Sequence, residues 1–222
     1  MKLQAVLFDL DGVITDTAEY HYLAWKQMAE NIGIGIDREF NEALKGISRM
    51  ESLERILIHG NRAQDFTPNQ RTVLAQEKNE HYISLLTQLL PEHTYPGIGE
   101  LLEQLKQEKV PAVLASASKN APRILTSLGL EEMFQYMVSP DGIPGKPAPD
   151  IFLNGAEAVG ADPRYCIGIE DAQAGIEAIK AAGMYAVGIG EERVLRIAGA
   201  NIVYESTAEL NLSSLLKAAS ME

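Results

Sequence analysis

An apolar run near the N-terminus, Val6-Leu7-Phe8, leads into Asp9-Leu10-Asp11-Gly12-Val13, and no other stretch restricts the fold as much. Short continuous apolar runs are the pattern of strands buried on both faces, as in parallel sheets covered by helices. Asp11-Gly12 alone has an ordinary explanation, because Asp-Gly is common turn chemistry after a strand. Asp9 does not, since it sits inside the apolar run. Alternation along a strand puts residues 9 and 11 on one side, so both carboxylates converge near the strand's end. Such a pair is costly unless a cation or a shared proton offsets it. Strand C-terminal ends are also where open α/β sheets bind ligands.

From about residue 17 to 90 the pattern is helical. Tyr22, Trp25, Ala29 and Ile32 make one helix face that stops at Gly33, and Leu53, Ile56 and Leu57 repeat the spacing. From Pro91 the character changes. Gly97 precedes a helix with Ile98, Leu101, Leu102 and Leu105 on one side. Strands are then predicted at 110–115, 136–138, 165–169, 185–189 and 201–204, with helices at 120–129, 151–159, 172–182 and 210–216. This alternation predicts an α/β fold, a Rossmann-like, doubly wound parallel sheet. Residues 1–16 and 91–222 form its core domain, and 17–90 form an inserted helical cap domain hinged near 15–18 and 88–96.

The length of 222 residues suits a core with a smaller insertion, and a hydrophobic fraction of 46% is ample to fill it. A net charge of −12 argues against nucleic acid or an anionic membrane surface as partner, because both are bound through clustered Lys and Arg. The single cysteine, Cys166, lies in an apolar strand and is expected to be a small core residue; no intramolecular disulfide is possible, which suits a reducing compartment. Without a signal-peptide pattern or a run of membrane-spanning length, a cytoplasmic protein is expected. No amphipathic stripe is left spare for a dimer, so a monomer is expected.

Three further segments carry polar residues where strands end or helices begin: Ala115-Ser116-Ala117-Ser118, Gly145-Lys146-Pro147-Ala148-Pro149-Asp150 and Ile169-Glu170-Asp171. Each has a plain structural reading on its own. Glu170-Asp171 can complement a helix dipole, Lys146 can be a solvated turn residue, and Ser116 can be a strand-end cap. In a parallel sheet, however, these ends share one edge, which would gather four acids, a lysine and a serine into one crevice. Magnesium suits such a cluster, because it prefers oxygen ligands and keeps waters that a phosphate can displace. Lys146 and Ser116 could then hold the remaining phosphoryl oxygens. Other motifs fail. Gly188-Ile189-Gly190 has Arg193 where a dinucleotide fingerprint wants its third glycine, and Gly145-Lys146 has Pro147 and Pro140 where a P-loop needs Ser or Thr and Gly.

Asp-x-Asp-Gly-Val, a strand-end serine, Lys-Pro and Glu-Asp, in that order, resemble the four motifs of the haloacid dehalogenase superfamily over essentially the whole chain. The runs from Asp9 to His21, Leu44 to Arg49, Ala115 to Asn120 and Lys146 to Asp150 further resemble its sugar-phosphate mutases. The resemblance implies a Rossmann-like core with a helical cap. It also implies a magnesium-dependent isomerase interconverting β-D-glucose 1-phosphate and D-glucose 6-phosphate through an aspartyl-phosphate enzyme and β-glucose 1,6-bisphosphate. Asp9 would be the nucleophile and Asp11 the general acid and base. Magnesium would be held by Asp9, the Asp11 backbone carbonyl, Asp171 and, directly or through water, Glu170. Ser116 and Lys146 would grip the transferring phosphate. Thr17 and His21, four apart on one helix face, would lie near the hinge, with His21 and Lys78 coupling cap closure to sugar binding. Lys45, Gly46, Arg49 and Ser52 would contact the sugar phosphate. Ala117, Ser118, Lys119 and Asn120, at a helix N-terminus, would complete the distal phosphate site. A sugar-phosphate phosphatase on the same scaffold is the alternative, since only the cap decides whether water or a sugar hydroxyl attacks the phosphoenzyme. A silent sensor is disfavoured by the intact Asp9 and Asp11.

Overall fold

The computed structural model describes residues 2–44 and 47–220. The chain divides into two compact units, one of Met1–Asp16 with Leu89–Glu222 and one of Thr17–Gln88.

The smaller unit is helical: α1 (Ala18–Asn31), α2 (Arg38–Glu42), α3 (Arg49–His59) and α4 (Pro68–Leu85). Local chemistry sets the helix starts. Ser48 accepts the Glu51 N–H ahead of α3, while Thr67 and Gln70 form a reciprocal capping box with Pro68 in the first turn of α4. The apolar stripes meet in one core that includes Trp25, Met28 and Ala29 from α1, Leu53, Ile56 and Leu57 from α3, and Leu74 and Ala75 from α4. Each large side chain buried there stabilises the unit by roughly 1.5–3 kcal/mol.

In the larger unit the described residues form six parallel strands, β1 (Ala5–Phe8), β2 (Ala112–Leu114), β3 (Tyr136–Met137), β4 (Cys166–Glu170), β5 (Tyr185–Ile189) and β6 (Ile202–Tyr204). Between and after them run α5 (Ile98–Gln107), α6 (Ala121–Leu128), α7 (Asp150–Ala158), α8 (Gln173–Ala181), α9 (Glu192–Ile197) and α10 (Leu212–Ala219). The sheet order is β3-β2-β1-β4-β5-β6. Central β1 is buried throughout, the reason its sequence is unbroken apolar. Leu7 and Val113 pack with Phe152 of α7 and with Ile176 and Ile179 of α8 in one core cluster.

Register and order together position the chemistry. Phe8 pairs with Leu114 on one side and Ile169 on the other. The Ala115 N–H donates to the Phe8 carbonyl (2.8 Å), and the Asp9 N–H donates to that of Ile169 (3.0 Å). β1, β2 and β4 therefore end level with one another. The order reverses between β1 and β4, and such a switch point opens a crevice at the strands' carboxyl ends.

The structure corrects several expectations. β1 stops at Phe8, so Asp9 and Asp11 lie beyond the pleat. Asp11 sits in an isolated bridge with Thr15, and the Gly12 N–H donates to the Thr15 carbonyl (2.8 Å). A tight loop, not strand alternation, places the second acid. The strand expected at 110–115 shortens to Ala112–Leu114, and the last helix runs from Leu212 to Ala219. α9 was not anticipated: its Val194 and Ile197 point outward, so no buried stripe marked it. Among the described residues, no helix is long and apolar enough to cross a membrane.

Candidate active site

Lys146 organises the charged residues at the strand ends. Its side chain is almost fully buried, with Nζ donating to Asp9 Oδ1 (2.5 Å) and Glu170 Oε1 (2.8 Å). The Lys146–Pro147 peptide bond is cis. Burial alone would lower the lysine's pKa, but Asp9 and Glu170 outweigh it and hold the ammonium above its ordinary value. The second carboxylate oxygen of Glu170 accepts the Ala172 N–H (2.7 Å) just before α8.

Asp9, Glu170 and Asp171 each bring a carboxylate oxygen to within 4.8 Å of the other two. One ammonium cannot balance three carboxylates, two of them buried and that of Asp171 half-buried. Burial raises the Asp9 carboxyl to about 7 despite Lys146, with Glu170 and Asp11 adding to the rise. Burial, Glu170 and Asp9 push Asp171 to about 9. An all-oxygen, electron-rich cluster that resists ionisation fits a hard divalent cation. The side chain of Asp11 stands outside this trio, although its charge acts on both Asp9 and Asp171.

Two glycines make room for the acids. A Cβ on Gly12, whose φ is +78°, would lie 2.0 Å from Asp171 Oδ2, and a Cβ on Gly175 would lie 1.8 Å from Glu170 Oε1. No larger residue fits either place without displacing a carboxylate. Gly12 was visible in sequence only as a turn residue. Gly175 gave no signal, because its role depends on how α8 packs against the end of β4.

After β2, buried Ser116 accepts the Ser118 N–H on Oγ (3.1 Å), and Ser118 Oγ accepts the Asn120 N–H (3.3 Å), leading the chain into α6. Ala117, Ser118 and Asn120 are half-buried here, and Lys119 is exposed and ion-paired with Asp141.

The smaller unit holds a second polar cluster. Lys78, buried on α4, donates to His21 Nδ1 (2.7 Å) and lies over the rings of Trp25 (4.7 Å) and Tyr82 (4.6 Å). Burial, Lys78 and Arg49 hold the His21 pKa well below its usual value, so the imidazole is neutral and accepts at Nδ1. The Tyr82 ring packs against His21 with centroids 4.0 Å apart, and its hydroxyl hydrogen-bonds Thr17 Oγ1 (2.9 Å). Tyr82 escaped the sequence reading, although it falls one helical turn after Lys78. Arg49 Nη2 donates to Asn79 Oδ1 (2.7 Å), and buried Ser52 donates to the Ser48 carbonyl (3.1 Å). Lys45 and Gly46 lie outside the described residues.

A doubly wound sheet, a helical insertion after β1, and a lysine-linked acidic cluster at the switch point define a class of phosphoryl-handling enzyme. The chain belongs to the haloacid dehalogenase-like hydrolase family, which it matches over residues 3–183. It is 51% identical to β-phosphoglucomutase of Bacillus subtilis (strain 168), over 96% of this chain and 94% of that protein. The crystal structure of β-phosphoglucomutase from Clostridium difficile superposes with a TM-score of 0.96 at 44% identity, covering 98% of this chain and 97% of that one. A phosphorylated carbohydrates phosphatase of Thermotoga maritima is 31% identical over 82% of each chain.

Proposed function

We propose that this chain has β-phosphoglucomutase activity, interconverting β-D-glucose 1-phosphate and D-glucose 6-phosphate through β-glucose 1,6-bisphosphate. The observation that carries this reading is the 51% identity to such a mutase over 96% of the chain, which spans both units. The cytoplasm is the proposed setting and a monomer the proposed working form.

In this reading Asp9 carries the phosphoryl group. Phosphorylated Asp9 gives it to the 6-hydroxyl of β-glucose 1-phosphate, and after the bisphosphate turns around, free Asp9 takes the 1-phosphoryl group and releases glucose 6-phosphate. Asp11 takes the proton from the attacking 6-hydroxyl and returns it to the C1 oxygen as that oxygen leaves. Lys146 and Ser116 hold the transferring phosphate, with Lys146 kept cationic by its two acids. Asp9, Glu170 and Asp171 would hold Mg²⁺, joined by the Asp11 carbonyl; when bound, the ion neutralises phosphoryl oxygens. In the smaller unit, Thr17, His21, Lys45, Gly46, Arg49, Ser52 and Lys78 act on the sugar and its other phosphate, together with Ala117, Ser118, Lys119 and Asn120. Incubation with β-glucose 1-phosphate and a trace of bisphosphate should yield glucose 6-phosphate. Inorganic phosphate as the dominant product would mark a phosphatase instead.

Two expected results follow. Arg49→Ala should cut mutase kcat/KM at least about tenfold more than it cuts hydrolysis of acetyl phosphate, which has no second phosphate to clamp. Equal losses would make Arg49 structural. The second concerns pH. Without metal, Asp9 and Asp171 keep protons up to about 7 and about 9 in the folded chain, against an ordinary aspartate value of 3.8. The folded state therefore binds more protons than the unfolded one across that window, and stability falls as pH rises through it. A bound divalent ion removes this penalty. The rise in Tm produced by Mg²⁺ should thus be greater at about pH 8 than at about pH 6. An equal rise at both would put the ion at some other site.

A further inference from the structure

We infer that Asn79 is a positioning residue for Arg49, holding its guanidinium through a neutral acceptor in place for the non-transferring phosphate of the sugar. This inference deepens the mutase reading and rests on it. Arg49 opens α3, Asn79 lies in the third quarter of α4, and both are half-buried in the smaller unit. Arg49 Nη2 donates to Asn79 Oδ1 over 2.7 Å. A guanidinium is a rigid planar fork with five N–H donors, so a short bond at one of them fixes the plane in which the others point.

The chemistry of the acceptor matters as much as its place. An aspartate here would orient the fork equally well and more strongly, as a charge-assisted pair. It would also compete with phosphate for the same cation and cancel most of the field an incoming dianion senses. The amide oxygen orients without cancelling. The adjacent residue follows the same logic: Lys78 donates to the neutral His21 ring and lies over two aromatic faces.

The test compares Asn79→Asp and Asn79→Ala with Arg49→Ala, alone and combined. Asn79→Asp preserves shape and an acceptor oxygen, so circular dichroism and Tm should stay near wild type. Its KM for β-glucose 1-phosphate and its Kd for glucose 6-phosphate, measured by calorimetry, should nonetheless rise about tenfold or more, with a much smaller loss in acetyl phosphate hydrolysis. Asn79→Ala should show a weaker effect of the same kind. In an Arg49→Ala background neither change should add further loss, because their effect passes through the guanidinium. Wild-type affinity in a folded Asn79→Asp, or losses that persist without Arg49, would overturn the inference. Arg49→Ala with unchanged sugar-phosphate affinity would instead overturn the underlying assignment of Arg49 itself.

Discussion

Asp9→Asn is expected to fold, bind sugar phosphate and lose turnover by about 10⁴-fold or more, the scale seen when a covalent nucleophile is removed. The amide keeps an oxygen in the place where Lys146 donates, and Lys146 retains Glu170 as its second acceptor. The substitution also removes one of three clustered carboxylates that repel one another. Without metal at about pH 8, where the native Asp9 carries its charge, the variant should therefore melt no lower than wild type. Incubation with acetyl phosphate followed by intact-mass measurement should show phosphate on the wild-type chain and none on the variant. Residual turnover near the wild-type level would transfer the nucleophile's role to another side chain. Loss of sugar-phosphate binding together with turnover would mean that Asp9 helps build the ligand site, and the kinetic defect could not then be assigned to chemistry alone.

Asp11→Asn should separate the two halves of the reaction. Loss of a general acid–base typically slows proton transfer by about 10²–10⁴-fold, and the mutase reaction needs a proton both removed from a sugar hydroxyl and delivered to a sugar oxygen. Phosphorylation of Asp9 by acetyl phosphate needs neither, because acetate departs as a stable anion. The variant should thus still take up phosphate from acetyl phosphate while failing to pass it to β-glucose 1-phosphate. Rapid-quench measurement of both steps decides the matter, and an unimpaired transfer to sugar would remove Asp11 from the proton path. The side chain's position outside the trio of acids that could hold a metal agrees with a task other than holding the ion.

Much of the larger unit was legible because its constraints are local. A strand buried on both faces must be apolar, so Val6-Leu7-Phe8 and Ile167-Gly168-Ile169 stood out, and the polar residues that end them were visible as interruptions. The level ending of β1, β2 and β4 turned those interruptions into one cluster. What remained hidden depended on distance in space. Strand alternation gave the wrong cause for the placement of Asp11, because a two-residue pattern cannot reveal that the strand has already stopped. Gly175 has meaning only through the carboxylate that occupies its missing Cβ. Lys119 read as part of a helix opening, but its pairing with Asp141 spans 22 residues of sequence. Lys78 lies on a helix with little apolar patterning, so the residues gave no reason to choose it; only the family resemblance did. Its burial between two rings and an imidazole is information that a linear string does not hold.

One consequence concerns how such a protein can diversify. Every group in the acid–lysine cluster belongs to the larger unit, where the Asp9 backbone is bonded to Ile169 of β4 and the preceding Phe8 to Ala115 after β2. The segment inserted after β1 supplies none of those bonds. On the proposed reading, a gene of this design can therefore exchange or remodel that single stretch, and with it the choice of acceptor molecule, while inheriting the phosphate-accepting apparatus intact.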